Sequence, residues 1–163
     1  ISGEPVTGLA EGRPLFVRSA NDKFNLANFM RAHLYASVGV LKIGNDILFN
    51  EEKIKVDRIT GHGGLFKTKG VGQRVLAAAI NSPISVMETA GEGGAWGIAL
   101  LASYLVNNAN GLNLADYLDK VVFAGDAGVE IAPTQEDVDG FNAYIENYKA
   151  GLAIEEAAVK AKK

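Results

Sequence analysis

Two glycine-rich segments contain the residues of this sequence that are best suited to binding a ligand. Residues 61–73 read GHGGLFKTKGVGQ, with five glycines and two lysines, and residues 89–94 read TAGEGG. Each lies between an apolar strand-like run and an apolar helix-like run, so each ends where a helix presents unpaired N–H groups and the positive end of its dipole. Because glycine has no Cβ, such backbone can approach a flat anionic ligand closely. Lys67 and Lys69 would add positive charge toward phosphates.

Spacing alone leaves a second interpretation open, in which the glycines only make turns. No Gly-Lys-Ser/Thr triplet follows the first segment, and no G-x-G-x-x-G opens a helix. Gly97 lies inside an apolar helix, where glycine costs about 1 kcal/mol, so either a ligand or a second helix comes close there. Trp96 either stacks on a base or belongs to the core. Glu92 either caps the following helix or holds the neighbouring glycine loop.

Hydrophobic periodicity predicts the elements that position these segments. The predicted order is a long amphipathic helix over 24–49, a strand over 53–60, the glycine loop 61–72, a helix over 73–81, a strand over 84–88, the glycine turn 89–94 and a buried helix over 95–109. A short edge strand over 14–18 and a short helix over 113–119 are also predicted, and Thr134–Asp137 resembles a capping box that opens a last helix. This order indicates an α/β fold with parallel strands, which places both glycine loops at the carboxyl ends of strands.

Bulk composition narrows the class of protein. The chain has 163 residues, a net charge of −3 and a pI of about 5.4, which disfavours nucleic-acid and anionic-membrane surfaces. There is no cysteine, and His33 and His62 are the two histidines, so a zinc centre is not expected and no metal site is predicted. No apolar run reaches the length of a membrane span and no signal peptide is visible, so we expect a cytoplasmic protein.

Residues 59–104, taken together, resemble the ATP-binding segment of the FGGY family of carbohydrate kinases. Gly63 and Gly64 match the family's double glycine, Pro83 its proline, Glu92 its acid, and Gly97-Ile98-Ala99 its Gly-Ala-Ala. The long first helix and the tyrosine-containing last helix also fit that family's second domain. The resemblance implies a ribonuclease H-like fold of the actin/hexokinase superfamily, present in part, with a mixed sheet flanked by helices.

The resemblance also implies a function and a set of contacts. Residues 1–163 would be most of the C-terminal ATP-binding lobe of a two-domain sugar kinase whose N-terminal lobe is absent. The parent would use ATP and Mg²⁺ to phosphorylate a sugar, with xylulokinase-like or ribulokinase-like pentulose kinases nearest, and it is compatible with a homodimer. No catalytic residue is expected in this chain. The implied nucleotide contacts are Gly61, Gly63, Gly64, Lys67, Gln73, Glu92, Gly93, Gly94, Trp96 and Gly97.

Two other classes of function remain open from the residues. One is a nucleotide-binding or sensing module with the same fold and no transferase activity. The other is a structural or interaction domain in which the glycines serve only as turns. Loss of nucleotide affinity on substitution of a loop glycine separates the second class from the other two.

Overall fold

The computed structural model describes residues 5–108, 110–125 and 128–161, which form two compact units. The first unit takes its described residues from 5–56, 75–82 and 133–161, and the second takes them from 57–74 and 83–132. The helices are α1 (Leu26–Asp46), α2 (Val71–Ile80), α3 (Gly93–Asn107), α4 (Leu114–Tyr117) and α5 (Gln135–Lys160), and the strands are β1 (Ile59–Gly61), β2 (Ile84–Val86) and β3 (Val129–Ile131). Short 3₁₀ turns cover Pro5–Thr7, Gly64–Phe66 and Glu88–Glu92, and π-helical turns cover Ile47–Glu51 and Leu118–Val122.

Helices α1 and α5 pack against each other in the first unit. The long first helix is confirmed, and it begins where the Asn25 side chain accepts a hydrogen bond from the Asn28 N–H at 2.8 Å. Gly39 is buried, and a Cβ built there would lie 3.6 Å from both Ile145 and Tyr148. The glycine in mid-helix therefore admits a close neighbour from α5.

The start and the buried face of α5 follow directly from its sequence. Thr134 Oγ1 accepts the Asp137 N–H at 3.1 Å, which confirms the predicted N-terminal cap. Val138, Phe141 and Ile145 recur at helical spacing and are 5%, 0% and 2% exposed, so they form the apolar face of this long helix.

A short mixed sheet organises the second unit. Ile59 of β1 pairs in parallel with Ile84 of β2, and β3 pairs antiparallel with β2. The parallel pair and the mixed sheet agree with the predictions from sequence. The strands are shorter than predicted. In the strand predicted over 53–60, residues 53–58 are exposed and unpaired with β2, and pairing begins at Ile59. The Val129–Ile131 strand was not predicted, since it lies outside any longer alternating or apolar run such as those that indicated β1 and β2.

The predicted strand over 14–18 is wrong. These residues have no strand conformation, and Pro14 supplies no N–H for a ladder. Their apolar side chains pack beside helices instead, with the rings of Phe16 and Phe29 5.1 Å apart. An apolar run of five residues does not by itself distinguish a strand from an extended segment that packs on a helix.

The prediction that the helix over 95–109 is buried is also wrong. Ala109 lies outside the described residues, and Ile98, Leu105 and Val106 of α3 are 69%, 82% and 83% exposed. The face of α3 that has partners carries polar and aromatic groups, including Tyr104, whose hydroxyl donates to the Leu112 carbonyl at 2.9 Å. In the part of the chain that the structure describes, no helix is both long enough and apolar enough to cross a membrane.

Replacing Phe141 by alanine should lower the free energy of unfolding by about 3–5 kcal/mol, because the ring is fully buried and its removal leaves a cavity. Phe24, which is 58% exposed, provides the matched control, and its replacement should cost much less. Urea unfolding followed by circular dichroism measures both. Equal losses would contradict a core centred on α5.

Alkaline pH should unfold the chain in part through Tyr144. Burial, followed by the charge of Tyr148, raises the pKa of Tyr144 from 10.0 to about 12. The native state therefore holds this proton more tightly than the unfolded chain, so the contribution to stability is complete below about pH 10 and is lost as the pH rises through about 12. The urea midpoint of unfolding, measured as a function of pH across this range, should fall less steeply in Tyr144→Phe than in the wild type. Equal slopes for the two proteins would contradict the raised pKa of Tyr144.

Candidate functional site

The two glycine loops touch each other in the second unit. The first follows β1 and the second follows β2, and parallel strands bring their carboxyl ends to the same edge of the sheet. Gly63 donates its N–H to the Ala90 carbonyl at 2.8 Å, which ties one loop to the other. Gly63 has φ +103°, a conformation that side chains disfavour.

Two glycines of the second loop make room for side chains of the first. A Cβ on Gly91 would lie 3.1 Å from Cγ of Lys67, and a Cβ on Gly93 would lie 3.1 Å from Nδ1 of His62. Both distances are shorter than comfortable carbon contacts. These two glycines are therefore explained by the packing of one loop on the other, without a ligand.

Two further glycines are required inside the first loop and its helix. A Cβ on Gly61 would overlap the ring of Phe66, and a Cβ on Gly72 would overlap the backbone carbonyl of Leu65. Gly61 is buried, so the structure places it beneath the loop rather than at its surface. The Phe66 ring therefore explains the glycine at position 61 without a ligand.

Three glycines have no such internal reason. Around Gly64, Gly94 and Gly97 a Cβ would meet no heavy atom of the described chain within 4 Å. The helix-packing alternative for Gly97 therefore finds no neighbouring helix among the described residues. Open space beside all three is the feature that a ligand would use.

A shallow cavity of about 510 Å³ opens between the loops, within the size range of small-molecule sites. It is lined by His62, Gly63, Gly91, Glu92, Gly93, Gly94 and Ala95. Helix α3 begins at this cavity, and Glu92 at its N-cap makes no side-chain hydrogen bond to the helix. The first N–H groups of α3 therefore lie at the cavity without a side-chain cap, an arrangement that suits an anion.

Glu92 instead forms an ion pair with Lys67 of the other loop. Their Nζ and Oε1 atoms are 2.6 Å apart, and both side chains are exposed. The hydrogen bond from Lys67, followed by its charge, lowers the pKa of Glu92. Of the two predicted roles of Glu92, the structure shows the one that holds the neighbouring loop. Because the pair is exposed, its effect on stability is small and it serves mainly to set the position of the two side chains.

Gln73 lies apart from the cavity lined by His62. Its side chain is 4% exposed, and Nε2 donates to the carbonyls of Ile84 and Val129, each at 2.6 Å. It thus links the start of α2 to β2 and β3. Gln73 and Lys67 also line a second cavity, of about 610 Å³, in the same unit.

Trp96 is half-buried and packs on Phe123, with the ring centroids 5.6 Å apart. It does not line the cavity between the loops. This placement favours the packing alternative stated for Trp96. Sequence reasoning did not identify Phe123 or Ala90 as partners, because neither belongs to a recognisable motif.

No set of three or more His, Cys, Asp or Glu side chains in the described ranges could hold a metal ion. A divalent cation at this site would need most of its oxygen ligands from elsewhere, such as the phosphates of a bound ligand.

Residues 1–106 match a family model whose description is "FGGY family of carbohydrate kinases, C-terminal domain". No curated protein matches the chain, and no solved structure does. The matched range contains both glycine loops and nearly all of α3.

Replacing Gln73 by leucine should lower the free energy of unfolding by about 1–3 kcal/mol, because the Ile84 and Val129 carbonyls would lose their donor. Gln135, whose exposed amide bonds Asp139 on the same helix, is the matched control, and its replacement by leucine should change stability by less than about 0.5 kcal/mol. Urea unfolding of both variants measures the difference. A Gln73 variant as stable as the wild type would contradict the role assigned to these bonds.

Proposed function

Since the chain belongs to the FGGY family of carbohydrate kinases, we propose that this domain binds ATP for the phosphorylation of a sugar. Membership implies carbohydrate kinase activity in the protein that carries the domain, together with the actin/hexokinase-like fold, present here in part. The proposal extends this to the nucleotide and to the residues that receive it.

One observation carries the nucleotide proposal: Gly94, which has open space at its Cβ position, lines the cavity at the start of α3, and the open glycine Gly64 directly follows Gly63, which also lines it. Glycines that pack against their own fold need no ligand to explain them, but these two have free space where a side chain would be. The uncapped start of α3 adds N–H donors and a positive dipole at the same place. A nucleotide offers a flat body and an anionic tail that match both features.

The proposed arrangement distributes the nucleotide along the two loops. Gly63 and Gly64 would let the ribose and phosphates approach the first loop, and Gly94 would leave room for the phosphates at the start of α3. Gly97, further along α3, would face the adenine. Lys67 would neutralise Glu92, so that a carboxylate at the rim does not repel the phosphates. The Gly63 N–H is already bonded to Ala90, so in this proposal its role is to shape the loop rather than to donate to phosphate.

In the proposed reaction the γ-phosphoryl group of ATP passes to a sugar hydroxyl, and we propose a pentulose such as xylulose or ribulose as acceptor. Phosphoryl transfer depends chiefly on positioning and on neutralising charge, and this domain would supply the positioning. The sugar site and the general base would belong to another lobe. The described residues offer no cage for Mg²⁺, which would therefore arrive with the phosphates.

Replacing Gly64 by valine should abolish ADP and ATP binding and leave the fold intact. The position has open space and no left-handed backbone, so the fold tolerates a side chain that the ligand would not. Calorimetric titration, with the fluorescence of Trp96 as a second signal, measures the affinity. Thermal unfolding without nucleotide tests whether the variant is folded.

Gly44 provides the matched control, because it too has no heavy atom within 4 Å of its built Cβ but lies in α1, outside the glycine loops. Gly44→Val should bind nucleotide as the wild type does. Unchanged affinity in the Gly64 variant would contradict the proposed site and would support the interpretation of the glycines as turns.

A further inference from the structure

We propose that the first unit contains a binding site for a small primary ammonium compound, built around the buried carboxylate of Glu155. The proposal is independent of the nucleotide site. It rests on a buried charge, on the cavity beside it and on the aromatic lining of that cavity.

Glu155 is a buried acid on α5, and among the described residues its side chain has a single polar partner. Its residue is 4% exposed, and Oε1 accepts the Arg13 N–H at 2.9 Å. An ionised carboxylate can accept about four hydrogen bonds, so most of this capacity is unused among the described residues. The ion pairs of α5 join Lys149 to Glu146 and Lys160 to Glu156, and they leave Glu155 without a cationic side chain in the described part of the helix.

Burying an ionised carboxylate costs free energy unless a cation or several donors compensate it. A ligand that brings both a positive charge and N–H donors would provide this compensation. A primary ammonium group has three such donors and no acceptor. A quaternary ammonium group would bring the charge without the donors, so the unused carboxylate oxygen favours the primary amine.

A cavity of about 310 Å³ lies beside this carboxylate, at the small end of the range for ligand pockets. Rings of Phe16, His33, Tyr144 and Tyr148 contribute to its lining, together with Glu155. Aromatic faces attract cations, and the effect grows where water is excluded. The lining thus suits an organic cation with an apolar body.

A metal ion fits this cavity less well than an ammonium group. Groups of three or more His, Cys, Asp or Glu side chains suited to a metal do not occur within 5–108, 110–125 and 128–161. Glu155 and His33 are the two such residues that line the cavity. Arg13 also lines the cavity and bonds Glu155 through its backbone N–H, and its positive charge would compete with that of a cationic ligand.

The test is a titration of the full chain with phenethylamine, which is a cation at neutral pH, and with 2-phenylethanol, its neutral counterpart of similar shape. The affinity, measured by protein-observed NMR, should be about tenfold or more higher for the cation, as expected for a charge-assisted hydrogen bond. Equal affinity for the two probes, or binding of neither, overturns the proposal.

Glu155→Gln should remove the preference for the cation, and Glu156→Gln should keep it, because Glu156 is exposed and paired with Lys160. Arg13→Ala keeps the backbone N–H and removes the competing charge, so it should leave the affinity for phenethylamine equal or higher. Loss of binding in Arg13→Ala, or a cation preference that survives in Glu155→Gln, overturns the assignment to the carboxylate.

A second pair of variants keeps the test decisive if Glu155→Gln does not fold. Gly151 lines the cavity and has open space at its built Cβ, so Gly151→Leu should fill the cavity and block binding without changing the charge. Gly140 lies on the same helix, has open space and does not line the cavity, so Gly140→Leu should bind normally. Binding retained in Gly151→Leu overturns the proposed location.

Discussion

The hydrogen bond from the Gly63 N–H to the Ala90 carbonyl is the interaction on which the candidate site depends. It joins two loops that are 27 residues apart in sequence and that follow neighbouring parallel strands. Gly91 and Gly93 favour this contact because a Cβ at either position would crowd the side chain of Lys67 or His62, each at 3.1 Å. The packing of the two loops therefore explains these glycines without a ligand.

The contact between the loops also determines where the glycines with open space, Gly64 and Gly94, are placed. With the loops fixed on each other, Gly64 and Gly94 face space that the fold does not fill. The amide of Gln73 joins the start of α2, which follows the first loop, to strands β2 and β3. The hydrogen bonds of Gln73, the bond between the two loops and the start of α3 without a side-chain cap together shape the surface that we propose binds an anionic ligand.

Sequence alone predicted the elements with strong periodicity or a capping signal. The long first helix, the cap at Thr134 and the parallel pairing of β1 with β2 could be derived because each depends on local residue patterns. The strand over 14–18 and the burial of the apolar helix α3 could not, since both depend on which neighbours cover a hydrophobic face. β3 was missed because, unlike β1 and β2, it does not lie within a longer alternating or apolar run of sequence.

For the candidate site, the sequence indicated two loops that the structure brings into contact, but it did not indicate the role of each glycine. Gly91 and Gly93 pack against the other loop, whereas Gly64 and Gly94 do not, and no pattern in TAGEGG distinguishes Gly93 from Gly94. The nucleotide contact of Gln73 stays a prediction, and the hydrogen bonds of its amide to the Ile84 and Val129 carbonyls could not be derived from sequence because these partners are distant along the chain. Distinctions of this kind require the distances between loops.

The most direct measurement is the backbone amide NMR spectrum of the chain during titration with ADP. The account predicts saturable shifts at Gly64, Gly94 and Gly97, which have open space, and small shifts at Gly39, which is buried between α1 and α5. Shifts confined to residues outside the two glycine loops, or no shifts at saturating ADP, would contradict the claim that these loops form a nucleotide site.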